Sequence, residues 1–236
     1  MSNPLTAEYH VWESTPSPTE MDRTVDLLRP HLARRVSRIL DVGCGEGHLL
    51  AALRRAGFEA EGVDLTPELV SRAAAAGSPV ALEDALTFIQ REGRRFDTFL
   101  MMDFVEHVPF ETVAAILQAL PPGSRCIIQT PNTNSIMGHQ FYLQVPSHVT
   151  PLSPWVLSKM FARADMEVRA AGTTWGGLPW TGLRRKITLF VLEKLFGVTM
   201  LPLLVEGANY YVVAEKRPGE HEVTARSRDP RPIGSA

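Results

Sequence analysis

Residues 39–47 read Ile39-Leu40-Asp41-Val42-Gly43-Cys44-Gly45-Glu46-Gly47. A short apolar run with one acidic residue is followed by glycines at every second position, and leucines then recur at helical spacing in residues 49–53. Glycine lets the backbone approach a ligand closely, and the first turn of a helix offers unpaired N–H groups. The segment therefore predicts a strand, a ligand-binding turn and a helix, with the ligand at the carboxyl end of the strand.

The spacing of the glycines excludes two common phosphate-binding motifs. The dinucleotide fingerprint Gly-x-Gly-x-x-Gly requires a glycine where this chain has His48, and no Gly-Lys-Ser/Thr follows to complete a P-loop. Asp41 lies two residues before the first glycine, where its charge would repel a pyrophosphate. A carboxylate at this position suits a ligand that carries a cationic amino group. The alternative is that Asp41 only caps backbone amides.

Strand-like and helix-like segments alternate along the first half of the chain. Strands are predicted at 38–42, 59–64, 79–83, 98–102 and 125–130, and helices at 46–56, from 67, at 85–90 and at 109–120. The strands are almost continuously apolar, which is typical of parallel strands that are covered on both faces. This alternation predicts a doubly wound parallel α/β sheet.

The alternation breaks after the fifth predicted strand. Residues 131–151 are predicted to be a loop, 154–164 a helix, and 167–171 and 210–214 two late strands. A helical insertion is expected at 175–206, before the last strand, and a disordered tail at 216–236. The prediction is thus one domain, residues 1–215, built on a seven-stranded, mostly parallel, Rossmann-like sheet.

The composition is that of an ordinary globular protein. Of the 236 residues, 44% are hydrophobic and 21% are charged, which excludes a wholly disordered chain, a collagen and a disulfide scaffold. The net charge of -2 argues against broad electrostatic binding of nucleic acid. Cys44 and Cys126 lie in apolar stretches and are predicted to be free thiols. With no signal-peptide pattern, and with charges interrupting the apolar stretch 187–205, a cytoplasmic protein is expected.

Further motifs follow the glycine turn in order, at the ends of the predicted strands. They are Asp64 ending the second strand, Asp84 after the third, Phe96-Asp97 beginning the fourth, Asp103-Phe104-Val105-Glu106-His107-Val108 after it, and Pro121-Pro122-Gly123 before the fifth. Over residues 36–170 this set resembles the class I S-adenosylmethionine-dependent methyltransferases. Among them it is similar to small bacterial O-methyltransferases that carry Glu-His-Val after the fourth strand.

The resemblance implies a binding site for S-adenosylmethionine. In it Asp41 supports the methionine end of the cofactor, Asp64 binds the ribose hydroxyls and Asp84 contacts the adenine. The residues implied to bind the cofactor are Asp41, Gly43, Gly45, Gly47, Asp64, Leu65, Asp84, Ala85 and Asp103. Simpler alternatives remain: a tight turn for the glycines, and helix caps for Asp64 and Asp84.

Methyl transfer to an alcohol requires removal of a proton, for which histidine is suited near neutral pH. His107, with Glu106 beside it, follows the fourth strand and is the first candidate base. His148, in the segment after the fifth strand, is the second, and His139 is a weaker one. The alternative for Glu106 and His107 is that their turn only orders the loop and starts the next helix.

The spacing of these acidic residues and histidines leaves the metal question open. Asp-x-x-Glu-His with a distant histidine is similar to the Glu-x-x-Glu-His pattern that binds Mg²⁺ in two methyltransferase families. These are the ubiquinone-biosynthesis O-methyltransferases and the 2′-O-methyltransferases of small-RNA 3′ ends. By resemblance, Asp103, Glu106, His107 and His148 would hold Mg²⁺, but Asp103 is shorter than glutamate and Mg²⁺ is strict about geometry. The alternative is a site without a metal.

Two outer segments are candidates for contact with the acceptor or other partners. The aromatic turn Trp175–Trp180 is expected to line an acceptor pocket. Residues 184–205 join a basic cluster to an apolar helix, which suits peripheral membrane contact, a homodimer face or a cap on the core. Near the N-terminus, Tyr9, Trp12 and Glu13 either fold over the cofactor or pack on the sheet.

Taken together, these features predict a methyltransferase that acts on an oxygen of a small molecule, sugar or glycan. Three alternatives stay open: an Mg²⁺-dependent RNA 2′-O-methyltransferase, a protein or amine N-methyltransferase, and a non-catalytic cofactor-binding subunit. The near-neutral charge counts against nucleic acid as a partner.

Overall fold

A computed structural model describes residues 16–32, 37–174, 194 and 207–218 of the chain. These residues contain one seven-stranded sheet in the order β3-β2-β1-β4-β5-β7-β6. The strands are β1 (Arg38–Val42), β2 (Glu59–Asp64), β3 (Val80–Leu82), β4 (Thr98–Met102), β5 (Arg125–Pro131), β6 (Met166–Thr174) and β7 (Asn209–Lys216). The first five are parallel, and β7 is antiparallel to both β5 and β6. The predicted mostly parallel, seven-stranded sheet is confirmed.

Seven α-helices are described. They are α1 (Pro18–Leu28), α2 (His48–Arg55), α3 (Pro67–Ala75), α4 (Ala85–Glu92), α5 (Phe110–Ala119), α6 (Ile136–Gln144) and α7 (Pro154–Arg163). Helices α2 to α5 connect successive parallel strands, as the alternation of the sequence predicts. Proline stands in the first turn of α1, α3 and α7, where its missing N–H costs no hydrogen bond.

Helix α6 corrects the prediction of a loop over residues 131–151. The Oγ of Ser135 caps its first turn by accepting a hydrogen bond from the Gly138 amide at 2.9 Å. The sequence shows no helical periodicity here because apolar residues lie among the polar ones on the exposed side of the helix. Its exposed residues include Ile136, Phe141 and Leu143.

The core has two layers because both faces of the sheet are covered by helices. Phe99 and Met101 of β4 pack on the face of α4, α5 and α7, whereas Leu100 packs with α1 and α2 on the other. This follows from the alternation of side chains along a strand. Burial on both faces explains why the central strand β4 has no alternation of polar and apolar positions.

The two cysteines are free thiols, as predicted. Cys126 is buried in β5, and burial raises its thiol pKa to about 12. Cys44 is half-buried in the glycine turn, and burial there also raises its thiol pKa well above the usual value. Both thiols are therefore protonated at neutral pH.

Several predictions concern residues outside the described part of the chain. They are the aromatic N-terminal segment, the 175–206 insertion apart from Lys194, and the tail from 219 onwards. Lys216, which the sequence placed at the start of the tail, is the last residue of β7. Its ammonium donates hydrogen bonds to the carbonyls of Leu117 and Ala164. Among the described helices, none is long and apolar enough to cross a membrane.

Candidate active site

The glycine turn has the backbone shape that its sequence predicts. Gly43, Gly45 and Gly47 have φ angles of 72°, 53° and 74°, a region that side chains disfavour. The amide of Gly43 donates to the Val63 carbonyl at 2.8 Å, so the turn is fastened to the end of β2. Gly47 then caps the N-terminus of α2. The turn therefore presents backbone rather than side chains at the carboxyl edge of the sheet.

Phe104 fills the space behind this turn. A Cβ placed on Gly43 would lie 2.3 Å from the Phe104 ring, so the glycine is required for packing as well as for its φ angle. Phe104 follows β4 and stands two residues before Glu106. The contact thus places the glycine turn beside the segment that carries the candidate base.

Asp64 holds the turn through backbone amides. Its Oδ2 accepts a hydrogen bond from Gly45 at 2.9 Å, and its Oδ1 accepts one from Thr66 at 2.8 Å. Thr66, not Asp64, is the N-cap residue of α3. A carboxylate offers about four acceptor positions, so two remain for a ribose diol. The neighbouring Leu65 is 66% exposed at the same edge.

Asp41 is the acidic group buried beneath the turn, with only 3% of its surface exposed. Burial, and to a smaller extent the negative charge of Asp64, raises the pKa of this carboxyl to about 7. A carboxyl in this state gains most from a cation placed next to it, because an opposite charge lowers the free energy of the ionised form. The environment therefore fits the ammonium group of the cofactor.

Asp84 caps a helix. Its Oδ1 accepts hydrogen bonds from the amide and the hydroxyl of Thr87 at 3.0 and 3.1 Å. Ala85 is the first residue of α4. Asp84 is therefore the N-cap residue of α4, which was the simpler alternative. An adenine contact by Asp84 and Ala85 stays a prediction.

Asp103 lies at the carboxyl end of β4 with a φ of 52° and an exposed side chain. Its amide donates to the Gln129 carbonyl at 2.9 Å, and its Oδ2 accepts from the Gln129 side chain at 3.0 Å. Asp103 is thus hydrogen-bonded to β5, at the carboxyl edge of the sheet where a cofactor would bind.

Glu106, His107 and His148 come together, as the sequence analysis expected. One ligand-type atom from each lies within 4.8 Å of the others, and Glu106 is 1% exposed. The Glu106 carbonyl accepts hydrogen bonds from the amides of Val149 and Thr150, which joins the segment after β4 to the one after α6. Asp103 is not part of this group among the described residues, so the expected fourth metal ligand is not brought to the other three.

The ring of His148 is fixed on two sides. Its Nδ1 lies 2.9 Å from the Tyr142 carbonyl, which only accepts hydrogen bonds, so Nδ1 carries the proton and Nε2 is the acceptor in the neutral ring. The His148 ring stacks on Tyr142 at 5.1 Å and meets His107 edge-on at 4.7 Å. His139, in contrast, is exposed on α6 and lies outside this group.

Three residues of this region were not singled out from the sequence. Phe104 packs on the glycine turn, Tyr142 holds His148, and Asn132 is fully buried at the end of β5. Asn132 donates to the Gly207 carbonyl at 3.2 Å and accepts from the Asn134 amide at 3.2 Å. The Pro-Asn pair directly after the fifth predicted strand was the one sequence signal that pointed to it.

The family described as "Methyltransferase domain" matches residues 12–171, which is more than half of the chain. Ubiquinone biosynthesis O-methyltransferase of Psychrobacter cryohalolentis is 30% identical over 155 residues, covering 55% of this chain and 60% of that protein. The enzyme of that name from Xylella fastidiosa is 37% identical over 119 residues, covering 43% and 46%. The chain thus spans about half the length of these relatives.

Solved structures share the fold at low sequence identity. A SAM-dependent methyltransferase from Archaeoglobus fulgidus has a TM-score of 0.69 at 20% identity, over 85% of this chain and 95% of that one. Magnesium protoporphyrin IX methyltransferase from Synechocystis, solved with bound SAH, has a TM-score of 0.54 at 17% identity, over 92% and 88%. The family match extends over residues 12–171, and the fold is shared with solved methyltransferases, so the chain belongs to the family described as "Methyltransferase domain".

Proposed function

We propose that this chain is an S-adenosylmethionine-dependent methyltransferase that acts on a hydroxyl oxygen of a small molecule or sugar. The observation that carries the proposal is the group formed by Glu106, His107 and His148 beside the glycine turn. A hydroxyl must lose its proton during transfer, whereas a neutral amine needs no strong base. Two imidazoles next to a buried carboxylate can supply the proton removal that methylation of a hydroxyl requires.

The cofactor end of the site supports this assignment. S-adenosylmethionine, when bound, supplies a methyl group on a positively charged sulfur. The glycine turn would lie under the cofactor, Asp64 would bind the ribose hydroxyls and Asp41 the ammonium. Because Phe104 links the turn to Glu106, the methyl group and the imidazoles would meet at the same edge of the sheet. Holding reacting atoms about 3 Å apart and in line supplies much of the acceleration.

The proton-handling part of the site follows from the tautomer of His148. With Nδ1 donating to Tyr142, Nε2 is the atom that can accept the proton of an acceptor hydroxyl. Glu106, buried beside both rings, would stabilise the imidazolium that forms. His107 is the second candidate base, since its ring lies against that of His148.

Relatives named ubiquinone biosynthesis O-methyltransferase support oxygen as the methylated atom. Their coverage is partial, so the acceptor is proposed only as a hydroxylated small molecule, with sugars and glycans included. Peripheral membrane contact, a homodimer face and an aromatic acceptor turn stay predictions, because residues 175–193 and 195–206 lie outside the described part of the chain.

Substitution of the two histidines tests the proposal. We expect His107→Ala or His148→Ala to lower kcat for methylation of a catechol or methyl glycoside panel by about 10²- to 10⁴-fold. Binding of S-adenosylhomocysteine should be retained in both variants. His139→Ala, an exposed histidine on the same helix as Tyr142, is the matched control and should keep full activity. Full activity in both site variants, together with methylation of amines, would replace the proposal by an N-methyltransferase.

A metal-assisted form of the same reaction is a second candidate, favoured by the 4.8 Å group of ligand atoms. The residues fit a divalent cation in part, since one carboxylate and two imidazoles suit zinc, manganese or iron better than Mg²⁺, which prefers oxygen. A bound cation would lower the pKa of the acceptor hydroxyl. Glu106, His107 and His148 would hold it.

Chelation separates the two forms. Activity that survives exhaustive dialysis against EDTA supports the histidines as proton carriers. Activity that is lost and then restored by added Mn²⁺, Zn²⁺ or Mg²⁺ supports the cation. Restoration by Mg²⁺ with a 3′-terminal RNA duplex as acceptor, and with no small hydroxyl compound, would favour the RNA alternative.

A further inference from the structure

We propose that Tyr142 is a positioning residue, which sets the tautomer and the orientation of His148. The inference rests on the proposed function, in which His148 meets the acceptor hydroxyl. Tyr142 lies on α6 and was not expected to belong to the site. Two contacts of different kinds, one from its main chain and one from its ring, connect it to the same imidazole.

The main-chain contact sets the tautomer. The Tyr142 carbonyl lies 2.9 Å from Nδ1 of His148 and can only accept, so the proton of the neutral ring is held on Nδ1. Nε2 is then an unprotonated acceptor. A histidine with the opposite tautomer would offer an N–H at that position and could neither take the proton of an acceptor nor bind a cation there.

The ring contact sets the orientation. The His148 and Tyr142 rings are 5.1 Å apart and inclined by 30°, and the His107 ring stands edge-on to His148 at 64°. The imidazole is therefore confined between two rings. Rotation of His148 about its side chain would break the stack and the Nδ1 hydrogen bond together.

Contacts at the start of helix α6 fix the helix relative to the sheet, and so fix the place of Tyr142. The hydroxyl oxygen of Ser135 lies 3.2 and 3.1 Å from the carbonyl oxygens of Asn132 and Gly207, which share its single O–H as acceptors. Gly138 lies so close to β5 and β7 that a Cβ there would be 2.3 Å from the Asn132 carbonyl oxygen and 2.4 Å from that of Ala208. Tyr142, one turn later on the same face of the helix, is thereby placed relative to the end of the sheet.

The phenol of Tyr142 is not itself suited to act as the base. Burial raises its pKa above the usual value, and the charge of Glu106 acts in the same direction. The hydroxyl thus stays protonated near neutral pH. Its ring and its carbonyl are left as the parts that act, through His148.

The test compares Tyr142→Phe, which keeps the stack, with Tyr142→Leu, which removes it. The tautomer of His148 is read in each protein, without cofactor or acceptor, from two-bond ¹⁵N–¹H correlations of the imidazole. Both variants keep the main-chain carbonyl of residue 142. We expect the native protein and Tyr142→Phe to show Nδ1–H alone. Tyr142→Leu should show a mixture, because His148 without the stacked ring can rotate away from that carbonyl. Turnover of a catechol probe, 3,4-dihydroxybenzoate, should fall about 10- to 100-fold in Tyr142→Leu, with kcat affected and binding of S-adenosylhomocysteine retained.

Phe141→Leu, an exposed aromatic next to Tyr142, is the matched control and should change neither readout. An Nε2–H tautomer in the native protein would overturn the proposal even if the leucine variant did not fold. An unchanged tautomer and unchanged kcat in a folded Tyr142→Leu would also overturn it. If His148→Ala keeps full activity, the proposed function fails instead, and the tautomer measurement still decides the structural role of Tyr142.

Discussion

The amide of Gly45 donates a hydrogen bond to the carboxylate of Asp64 over 2.9 Å, and so joins the turn after β1 to the end of β2. The family resemblance implied separate roles for these residues, with the glycines forming the loop beneath the cofactor and Asp64 binding its ribose. In the structure they are one unit, because the second oxygen of the same carboxylate accepts from Thr66. Loss of the carboxylate should therefore disturb both the binding contact and the shape of the turn.

Asp64→Ala is expected to abolish cofactor binding. A ligand at 100 times its Kd stabilises a single-site protein by about 2.7 kcal/mol, so S-adenosylhomocysteine should raise the melting temperature of the native chain and leave that of the variant unchanged. Glu61→Gln on the same strand, whose carboxylate pairs with Arg95 on the surface, is the control and should show the native shift. An equal shift in Asp64→Ala would remove Asp64 from the site.

Gly43→Ala is expected to destabilise the fold, because its Cβ would lie 2.3 Å from the ring of Phe104 and its φ is 72°. Overpacking of this kind costs about 1–3 kcal/mol, and the left-handed backbone adds about 1 kcal/mol. Urea denaturation measures the loss. Phe104→Leu in the same chain should relieve the clash, so that the double variant is more stable than the sum of the two single effects predicts.

Gly45→Ala separates strain from packing at the same turn. Its φ is 53°, but among the described residues no atom outside its chain neighbours lies within 4 Å of the added Cβ, so only the backbone strain of about 1 kcal/mol should appear. A loss at Gly45 as large as that at Gly43 would show that the Phe104 contact does not limit the turn.

Cofactor affinity should rise with pH as Asp41 ionises. Burial raises the pKa of this carboxyl from 3.8 to about 7 in the protein without cofactor, so the group is half protonated near neutral pH. The ionised form attracts the ammonium of the cofactor. The Kd for S-adenosylhomocysteine should therefore decrease as the pH rises from 6 to 8. Binding in this range should release protons, and calorimetry in buffers of different ionisation enthalpy measures their number. In Asp41→Asn the pH dependence should disappear.

The same group acts on the stability of the free protein in the opposite sense. The pKa of Asp41 is higher in the folded protein than in the unfolded chain. Its contribution to the free energy of unfolding is therefore fully present below about pH 3.8 and is lost as the pH rises towards 7. A shift of this size corresponds to a few kcal/mol, at about 1.4 kcal/mol per unit. Asp41→Asn should thus gain stability relative to the native chain from pH 4 to 7. A constant difference over that range would contradict the assignment.

Much of the fold follows from patterns local to the sequence. The bounds of β1, β2 and β4 were predicted to the residue, because an apolar run between turn residues leaves little choice of ends. The gathering of Glu106, His107 and His148 was predicted as well, since the carboxyl ends of parallel strands share one edge.

Long-range packing decided what the sequence did not show. Helix α6 has apolar residues among the polar ones on its exposed side, so no periodicity marked it. Its place depends on contacts of Asn132 and Ser135 with Gly207, which is distant in the chain. Asp103 was expected beside Glu106, but a left-handed backbone and a hydrogen bond from Gln129 keep it with β5. Neither feature has a signal in the spacing of residues.

Gly138→Ala is expected to move α6 and to uncouple catalysis from cofactor binding. Its Cβ would overlap the carbonyl oxygens of Asn132 and Ala208, at 2.3 and 2.4 Å, and these belong to backbone that cannot yield. The helix must shift outward, which carries Tyr142 away from His148. We expect a loss of about 1–3 kcal/mol in urea denaturation, a drop in kcat of at least about tenfold, and retained binding of S-adenosylhomocysteine at the glycine turn, none of whose atoms is among those nearest to the added Cβ.

Met137→Ala, one residue earlier and exposed on the outer side of α6, is the control for helix propensity alone and should leave kcat unchanged. Equal activity of the Gly138→Ala and Met137→Ala variants would show that the position of α6 does not matter for methyl transfer. Loss of cofactor binding in Gly138→Ala would instead indicate a disturbance that spreads through β5 to the glycine turn. The two readouts together locate the effect of α6 on the acceptor side of the site.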